Sequence, residues 1–297
     1  MNARSPLSLS LAVLVSGLLL ASCAMLQKGQ ELLTKENLTK VEKVATVVRN
    51  TFADITEEEE YYIGRSVAAL ILSRYNVYNN ETLNRYVNVV GNAVAAFSSR
   101  PEIFGGYHFL VLDSAEINAM AAPGGFIFIT RGLLRECKDE EMLAAVLAHE
   151  VGHVAAKHGL QSIKKSRLID AFKLLGKEVA KKYTPAELSQ LTEVFEGALG
   201  DIAGSLIERG YDRKYEYDAD GLSVKFGLAT GYNPQGLSDF LKNLEVRQAK
   251  DKGLGWFKTH PAPKDRLEKV TKLVSAQKTL PVRDKVRLTR FKQNFKG

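Results

Sequence analysis

Apolar positions recur along the chain with two different periods, and the switches between them mark out the elements. Behind Thr56 and Glu59, the two members of a capping box, Ile63, Val67, Leu70 and Ile71 return at helical spacing. Leu83, Val87, Val90 and Val94 fall on one face of a second helix over about 81–97. The period then becomes that of strands. Residues 107–112 are rich in β-formers, Ala122-Pro123-Gly124-Gly125 is a turn signal, and 126–130 reads as a second short strand. These two runs are expected to belong to a small antiparallel sheet. Helical spacing resumes behind Asp139, a good N-cap, with Glu140 and Glu141 in the first turn where the helix dipole favours anions. That helix is expected to run to about His158 and to stop at Gly159.

Further helices are expected over 205–226, 234–246 and 263–275, the last opened by Thr259-His260-Pro261. Residues 160–204 read as loosely packed helix, punctuated by Pro185, Gly197, Gly200 and Gly204, and are a candidate lid over a cleft. With no internal repeat and no clear linker, the expectation is one mainly helical α+β domain over 56–275, its small sheet beside the helix that follows Asp139.

The N-terminus is of another kind. Arg4 is followed by an apolar run over 7–21, too short to span a bilayer comfortably but suited to the core of a secretory signal. It ends in Leu20-Ala21-Ser22-Cys23, which resembles a bacterial lipobox with Cys23 as the lipid acceptor. On that expectation 1–22 is a signal peptide and 23–55 a polar tether to a membrane. The several acyl chains of such a lipoprotein would anchor it stably. By the same resemblance, Ala24 and Met25 lack the aspartate that marks inner-membrane retention, so a periplasm-facing protein of the outer membrane is expected. With Cys23 lipidated, Cys137 is the one remaining thiol, and the fold must rest on its core and on any metal.

The net charge of +7 is concentrated late in the chain. After Leu280, Arg283, Lys285, Arg287, Arg290, Lys292 and Lys296 face only Asp284. No aromatic interleaving or nucleic-acid motif accompanies them, so 276–297 reads as a solvated basic tail and nucleic acid is not an expected partner.

Candidate chemistry sits on the helix after Asp139, in His149-Glu150-Val151-Gly152-His153. Histidines four apart project from one helical face and can share a zinc ion, one per chain, with Glu150 placed as general base. Leu143, Val146, Leu147, Val151 and Val154 make the rest of this helix apolar, so the polar groups lie near the core and need partners. A metzincin would need its third histidine at position 159, which is Gly159, and a glycine at 156, which is Ala156. The third ligand is therefore expected to be a carboxylate from a later helix. In Glu216-Tyr217-Asp218-Ala219-Asp220, Glu216 and Asp220 share a face, so Glu216 can bind the metal while Asp220 orients a ligating imidazole. Spacing alone leaves Glu208 and Asp212 open as well. His158, five residues after His153, is expected to turn away from the metal face and to be structural or at most a support behind a ligand, and His108 reads as an ordinary strand residue.

Taken together, Asn118 to Gly125, the HExxH helix extended to His158-Gly159, Arg213 to Asp220, Gly231-Tyr232-Asn233-Pro234 and His260-Pro261 with Arg266 resemble the HtpX / CAAX-protease family of zinc metallopeptidases, in its soluble, lipoprotein-type periplasmic form. The resemblance implies Glu216 as third zinc ligand, Asp220 as its supporting acid and His260 as a donor to the oxyanion. It also implies Arg266 as a buttress and Asn118, Ala119, Met120 and Ala121 as an edge strand that binds substrate. The membrane helices of embedded relatives are missing, so prenylated C-termini are not carried over as substrates. The expected activity is zinc-dependent endopeptidase action on unfolded or misassembled envelope proteins. The alternative is a chaperone-like outer-membrane assembly factor that keeps the zinc site but cleaves rarely.

Overall fold

The computed structural model describes residues 55–162, 196–250, 259–260 and 262–295. The expected signal peptide, the lipid-accepting Cys23, nearly all of the tether and most of the candidate lid lie outside these residues. No helix among the described residues is long and apolar enough to cross a membrane.

Helix α1 (Glu57–Leu72) begins at the expected capping box, with Thr56 and Glu59 bonding reciprocally. Its inward face is Glu60, Gly64, Val67, Ala68 and Ile71, while Leu70 points outward. The close approach decides this face. A Cβ on Gly64 would stand 1.8 Å from the Pro123 carbonyl oxygen, so only glycine lets α1 lie against the turn at Pro123–Gly125. Helix α2 (Glu81–Ala95) buries Leu83, Val87, Val90 and Val94, the face its period gives.

The sheet has three strands, β1 (His108–Leu112), β2 (Ala119–Ala122) and β3 (Phe126–Thr130), in the order β1-β3-β2. The two runs expected to pair antiparallel instead pair in parallel, His108 opposite Phe126 through Leu112 opposite Thr130. The antiparallel neighbour of β3 is β2, too short and alanine-rich to stand out as a strand, with Ala119 opposite Ile129 and Ala122 opposite Phe126. With β2 on one side of β3, β1 must take the other, and the chain direction there is parallel. The far edge of β1 is closed by α2: Asn84 and Asn88, one turn apart, accept from the backbone N–H of Val111 and Phe109. His108 is exposed and stacks on Phe126, with no role in the site.

After the short helix α3 (Arg131–Glu136) comes α4 (Glu140–Ala155), capped by Asp139 as expected. Every residue of α4 from Glu140 to Val154 is buried, so it is the axis of the core rather than an amphipathic surface helix. It ends three residues before the expected stop. Lys157 takes a left-handed conformation (φ 57°) and a separate turn of helix, α5 (His158–Gln161), follows.

The helix expected over 205–226 is also two pieces. A π-helical turn at Ser205–Arg209 ends at Gly210, and α6 (Arg213–Thr230) starts anew. Gly210 has φ 76°, and a Cβ there would lie 1.8 Å from the Thr259 carbonyl oxygen, so a glycine both breaks the helix and admits the Thr259–His260 segment. Helices α7 (Gln235–Lys250) and α8 (Pro263–Ser275) pack together; α7 lies directly on α4, and α8 packs on α6, which itself lies along α4.

The stretch expected to be a solvated tail instead carries helix α9 (Lys285–Asn294), whose Phe291 is buried in the main core. Its arginines meet the acids at the start of α4. Arg290 forks onto Glu140, Arg287 reaches Glu141 at 3.1 Å, and Arg283 reaches Asp139 at 3.2 Å. Glu140 also accepts from the hydroxyls of Tyr86 and Tyr232, both at 2.9 Å. Burying Glu140 and Glu141 beside the half-buried Asp139 is tolerable only when each gains a partner, and the excess basic charge of the C-terminus supplies it. Arg290→Ala should therefore destabilise the fold by about 1–3 kcal/mol, below the full cost of orphaning a buried charge because the arginine is partly solvated and the tyrosines remain. Urea denaturation against Lys285→Ala as surface control measures it, and a difference below about 0.5 kcal/mol would mean that α9 does not secure α4.

Candidate metal centre

The i, i+4 spacing on α4 brings the Nε2 atoms of His149 and His153 to 3.1 Å from each other. From α6, Glu216 reaches between them, with Oε2 3.6 Å from His149 Nε2 and Oε1 3.5 Å from His153 Nε2. All three side chains are buried. Ligands at 2.0–2.2 Å around a tetrahedral ion stand about 3.3–3.5 Å apart, so these separations suit a common cation. Neither Oε1 nor Oε2 of Glu216 accepts a hydrogen bond, although both are shielded from solvent. A fully buried carboxylate without donors, directed at two imidazole nitrogens, has the chemistry of a metal ligand.

His260 joins this group. Its Nε2 lies 3.9 Å from Glu216 Oε2, and His149, Glu216 and His260 form a set able to hold a metal ion, their ligand atoms within 4.8 Å of one another. The acid and the arginine that the resemblance implies also arrive, Asp220 and Arg266. Asp220 accepts from His149 Nδ1 at 3.1 Å, fixing that ring with Nε2 toward the cluster. Arg266, buried on α8, clamps Asp220 through Nε at 2.9 Å and Nη2 at 2.6 Å and approaches Glu216 at 3.4 Å through Nη1. Glu208 pairs with Arg74 on the surface and Asp212 precedes α6, so among the three carboxylates that spacing left open Glu216 alone faces the histidines.

Charge balance points the same way. Fully ionised, the buried Glu150, Glu216 and Asp220 would bring three negative charges against the one guanidinium of Arg266. With neutral imidazoles the cluster would then carry two net negative charges, which a divalent cation offsets. The proton affinities register the same demand. Burial and the Arg266 charge oppose protonation of His149, yet Asp220 and Glu216 outweigh them and lift it to about 9. Burial and its neighbouring cationic groups hold His153 well below the usual histidine range. Burial raises Glu150 to about 7, with the Glu216 charge adding to it. Glu216 and Asp220, although buried, are held below the usual carboxylate range by their cationic neighbours.

Strand β2 is an edge strand, as the resemblance implies, but it is not an open one: Asn118, Ala119, Met120 and Ala121 are all buried. The Asn118 carbonyl accepts the backbone N–H of Thr130 across the sheet, and its own N–H donates to Thr130 Oγ1, so in antiparallel alternation Ala119 and Ala121 direct their main-chain groups to the free side. The Tyr211 hydroxyl donates to the Ala121 carbonyl at 3.2 Å, and Thr259 Oγ1 donates to Asn118 Oδ1 at 3.2 Å. Tyr211 was not singled out by sequence. Its ring stacks on His153 at 4.5 Å, a contact made possible by the break at Gly210 that no local pattern announces. His158 stands behind His153, on the side away from Glu216. Its Nδ1 lies 3.0 Å from His153 Nδ1, because the left-handed Lys157 turns the chain back toward the site.

Residues 81–274 match the model of Peptidase family M48, a span that carries every residue of this cluster. Similar proteins include the mitochondrial metalloendopeptidase OMA1 of Schizosaccharomyces pombe, 27% identical over 78% of this chain and 66% of its own length. The beta-barrel assembly-enhancing protease of Yersinia pestis is 24% identical over 91% of this chain and 54% of its own. The metalloprotease YcaL of Escherichia coli K12 is 29% identical over 58% and 63%. The chain spans less than two thirds of the length of each of these relatives. None of these matches specifies the HtpX / CAAX-protease subtype. A family model that covers well over half of the sequence, with the buried histidine and carboxylate cluster inside it, is decisive: the chain belongs to peptidase family M48.

Proposed function

We propose that this protein is a zinc-dependent endopeptidase of the bacterial cell envelope that hydrolyses unfolded or misassembled envelope proteins. One observation carries the chemistry: two imidazole Nε2 atoms and a buried carboxylate with no hydrogen-bond donor converge within 3.1–3.6 Å. His149, His153 and Glu216 would hold the ion, which as zinc supplies a Lewis acid that activates water and polarises a carbonyl.

The protein's own groups do the rest. Glu150 lies in the same buried cluster with Oε1 free of any hydrogen bond, and burial raises its proton affinity to about 7. It can take a proton from the attacking water and return it to the leaving amide nitrogen. His260 is the donor to the carbonyl oxygen as negative charge develops there. The Thr259 hydroxyl has one proton for two neighbours, Asn118 Oδ1 and His260 Nδ1, at 3.2 and 3.0 Å. In this structure it points to Asn118 Oδ1; turned to Nδ1 instead, it would leave His260 with its own hydrogen on Nε2, where an oxyanion needs it. A peptide laid along β2 would pair with the outward main-chain groups of Ala119 and, on displacing the Tyr211 hydroxyl, of Ala121. Asp220 and Arg266 keep His149 aimed throughout.

The envelope location and the lipid anchor at Cys23 are supported by Leu20-Ala21-Ser22-Cys23 and by the relative named for β-barrel assembly. Ala24 and Met25 after Cys23, in place of the aspartate of inner-membrane retention, support an outer-membrane position. Glu150→Gln should retain one zinc per chain while its cleavage of an unfolded protein falls by about 10²–10⁴-fold. Cleavage at the wild-type rate, followed on a denatured fluorescent protein, would remove Glu150 from the role of base. His260→Ala should lower kcat by about 10²–10³-fold with little change in KM, as expected of a group that acts on the transition state. A change in KM alone would make His260 a substrate-binding residue instead.

A further inference from the structure

The two histidines of α4 are supported from behind in different ways. His149 has Asp220, itself held by Arg266. Among the described residues, no carboxylate stands behind His153. Behind its Nδ1 stands His158, buried, with Nδ1 facing Nδ1 at 3.0 Å, and behind His158 Nε2 stands Asp218 Oδ2 at 3.3 Å. We infer that His158 is a positioning residue for the metal, accepting the Nδ1 hydrogen of His153 while Asp218 fixes its own orientation. This rests on His153 being a zinc ligand, as proposed above.

Proton counting makes the arrangement directional. A neutral imidazole carries one hydrogen, and a nitrogen that binds metal carries none. His153 Nε2 faces His149 and Glu216, so as a ligand His153 must keep its hydrogen on Nδ1. Of two facing Nδ1 atoms only one can hold the shared hydrogen, so His158 Nδ1 is bare and accepts it. The hydrogen of His158 is then on Nε2, the atom turned toward Asp218. Each assignment forces the next, and the chain of bonds ends at a carboxylate that is 58% exposed and needs no further partner. The rings are held in plane from outside, Tyr211 stacking on His153 and Tyr215 lying against His158, both at 4.5 Å. The left-handed Lys157 is what makes this possible, since an unbroken helix would carry His158 past His153.

A histidine that merely fills the space beside Tyr215 would be replaceable by phenylalanine, whereas an acceptor would not. Zinc affinity of the full chain, measured by competition with a chromophoric chelator, separates the two. His158→Phe should bind zinc about 10–100-fold more weakly. His158→Asn, whose Oδ1 takes the place of Nδ1 but which cannot reach Asp218, should bind more tightly than His158→Phe and about as well as Asp218→Ala. Asp218→Ala, a half-exposed position that leaves the core intact, should lose more than roughly threefold. Wild-type affinity in His158→Phe, or equal losses in the Phe and Asn variants, would overturn the inference even if one of them folds poorly, because Asp218→Ala then stands as the remaining arm. No loss in Asp218→Ala would overturn its part. His153→Ala tells the two levels apart: zinc bound as tightly as by wild type there would remove the ligand itself, and the relay with it.

Discussion

The structure depends on one constraint: a helix buried along nearly its whole length carries five ionisable side chains. From Glu140 to Val154 nothing on α4 is exposed, yet Glu140, Glu141, His149, Glu150 and His153 are all on it. Removing such groups from water costs several kcal/mol each unless they are neutralised and bonded. Segments distant in sequence therefore converge on α4. The C-terminal helix brings arginines to its first turn, α6 and α8 bring Glu216, Asp220 and Arg266 to its middle, and Arg100 donates to the Val154 carbonyl at its end.

The same constraint explains why the site is a site. At the N-terminal end of α4 each acid meets a cation, and the account closes within the protein. In the middle it does not close, since three carboxylates share one guanidinium and Glu216 accepts no hydrogen bond. A fold that pairs the buried acids at the start of α4 with arginines and leaves this group short of positive charge is prepared for a cation. Stability and function are thus separate solutions to one electrostatic problem on a single helix, one using Arg290 and its neighbours, the other a metal.

Symmetry of spacing hides asymmetry of support. His149 and His153 are equivalent on a helical wheel, but one is backed by an acid–arginine pair and the other by an imidazole under a tyrosine ring. Tyr211 touches both His153 and the Ala121 carbonyl, so the edge strand and the histidine pair are joined through one side chain. Any movement that frees β2 for a peptide must also change what lies over His153.

What the sequence determined by itself is what neighbours within a few residues decide. The caps at Thr56 and Asp139, the buried face of α2, the common face of His149 and His153 and that of Glu216 and Asp220 all follow from local hydrogen bonds and the 3.6-residue period. Tertiary structure decided the rest, because each remaining choice was between partners of equal local merit. Glu208, Asp212 and Glu216 are equally acidic, and only packing against α4 selects the last. The parallel pairing of β1 with β3 depends on an alanine-rich β2 claiming the other side of β3. The basic residues after Leu280 have the composition of a solvated tail, and burial of Glu140 turns them into a structural element. His158 lies at an offset that faces away on an ideal helix, and one left-handed residue, Lys157, reverses it. Local periodicity fixes which face a side chain occupies, but the cost of burying charge fixes what that face must meet.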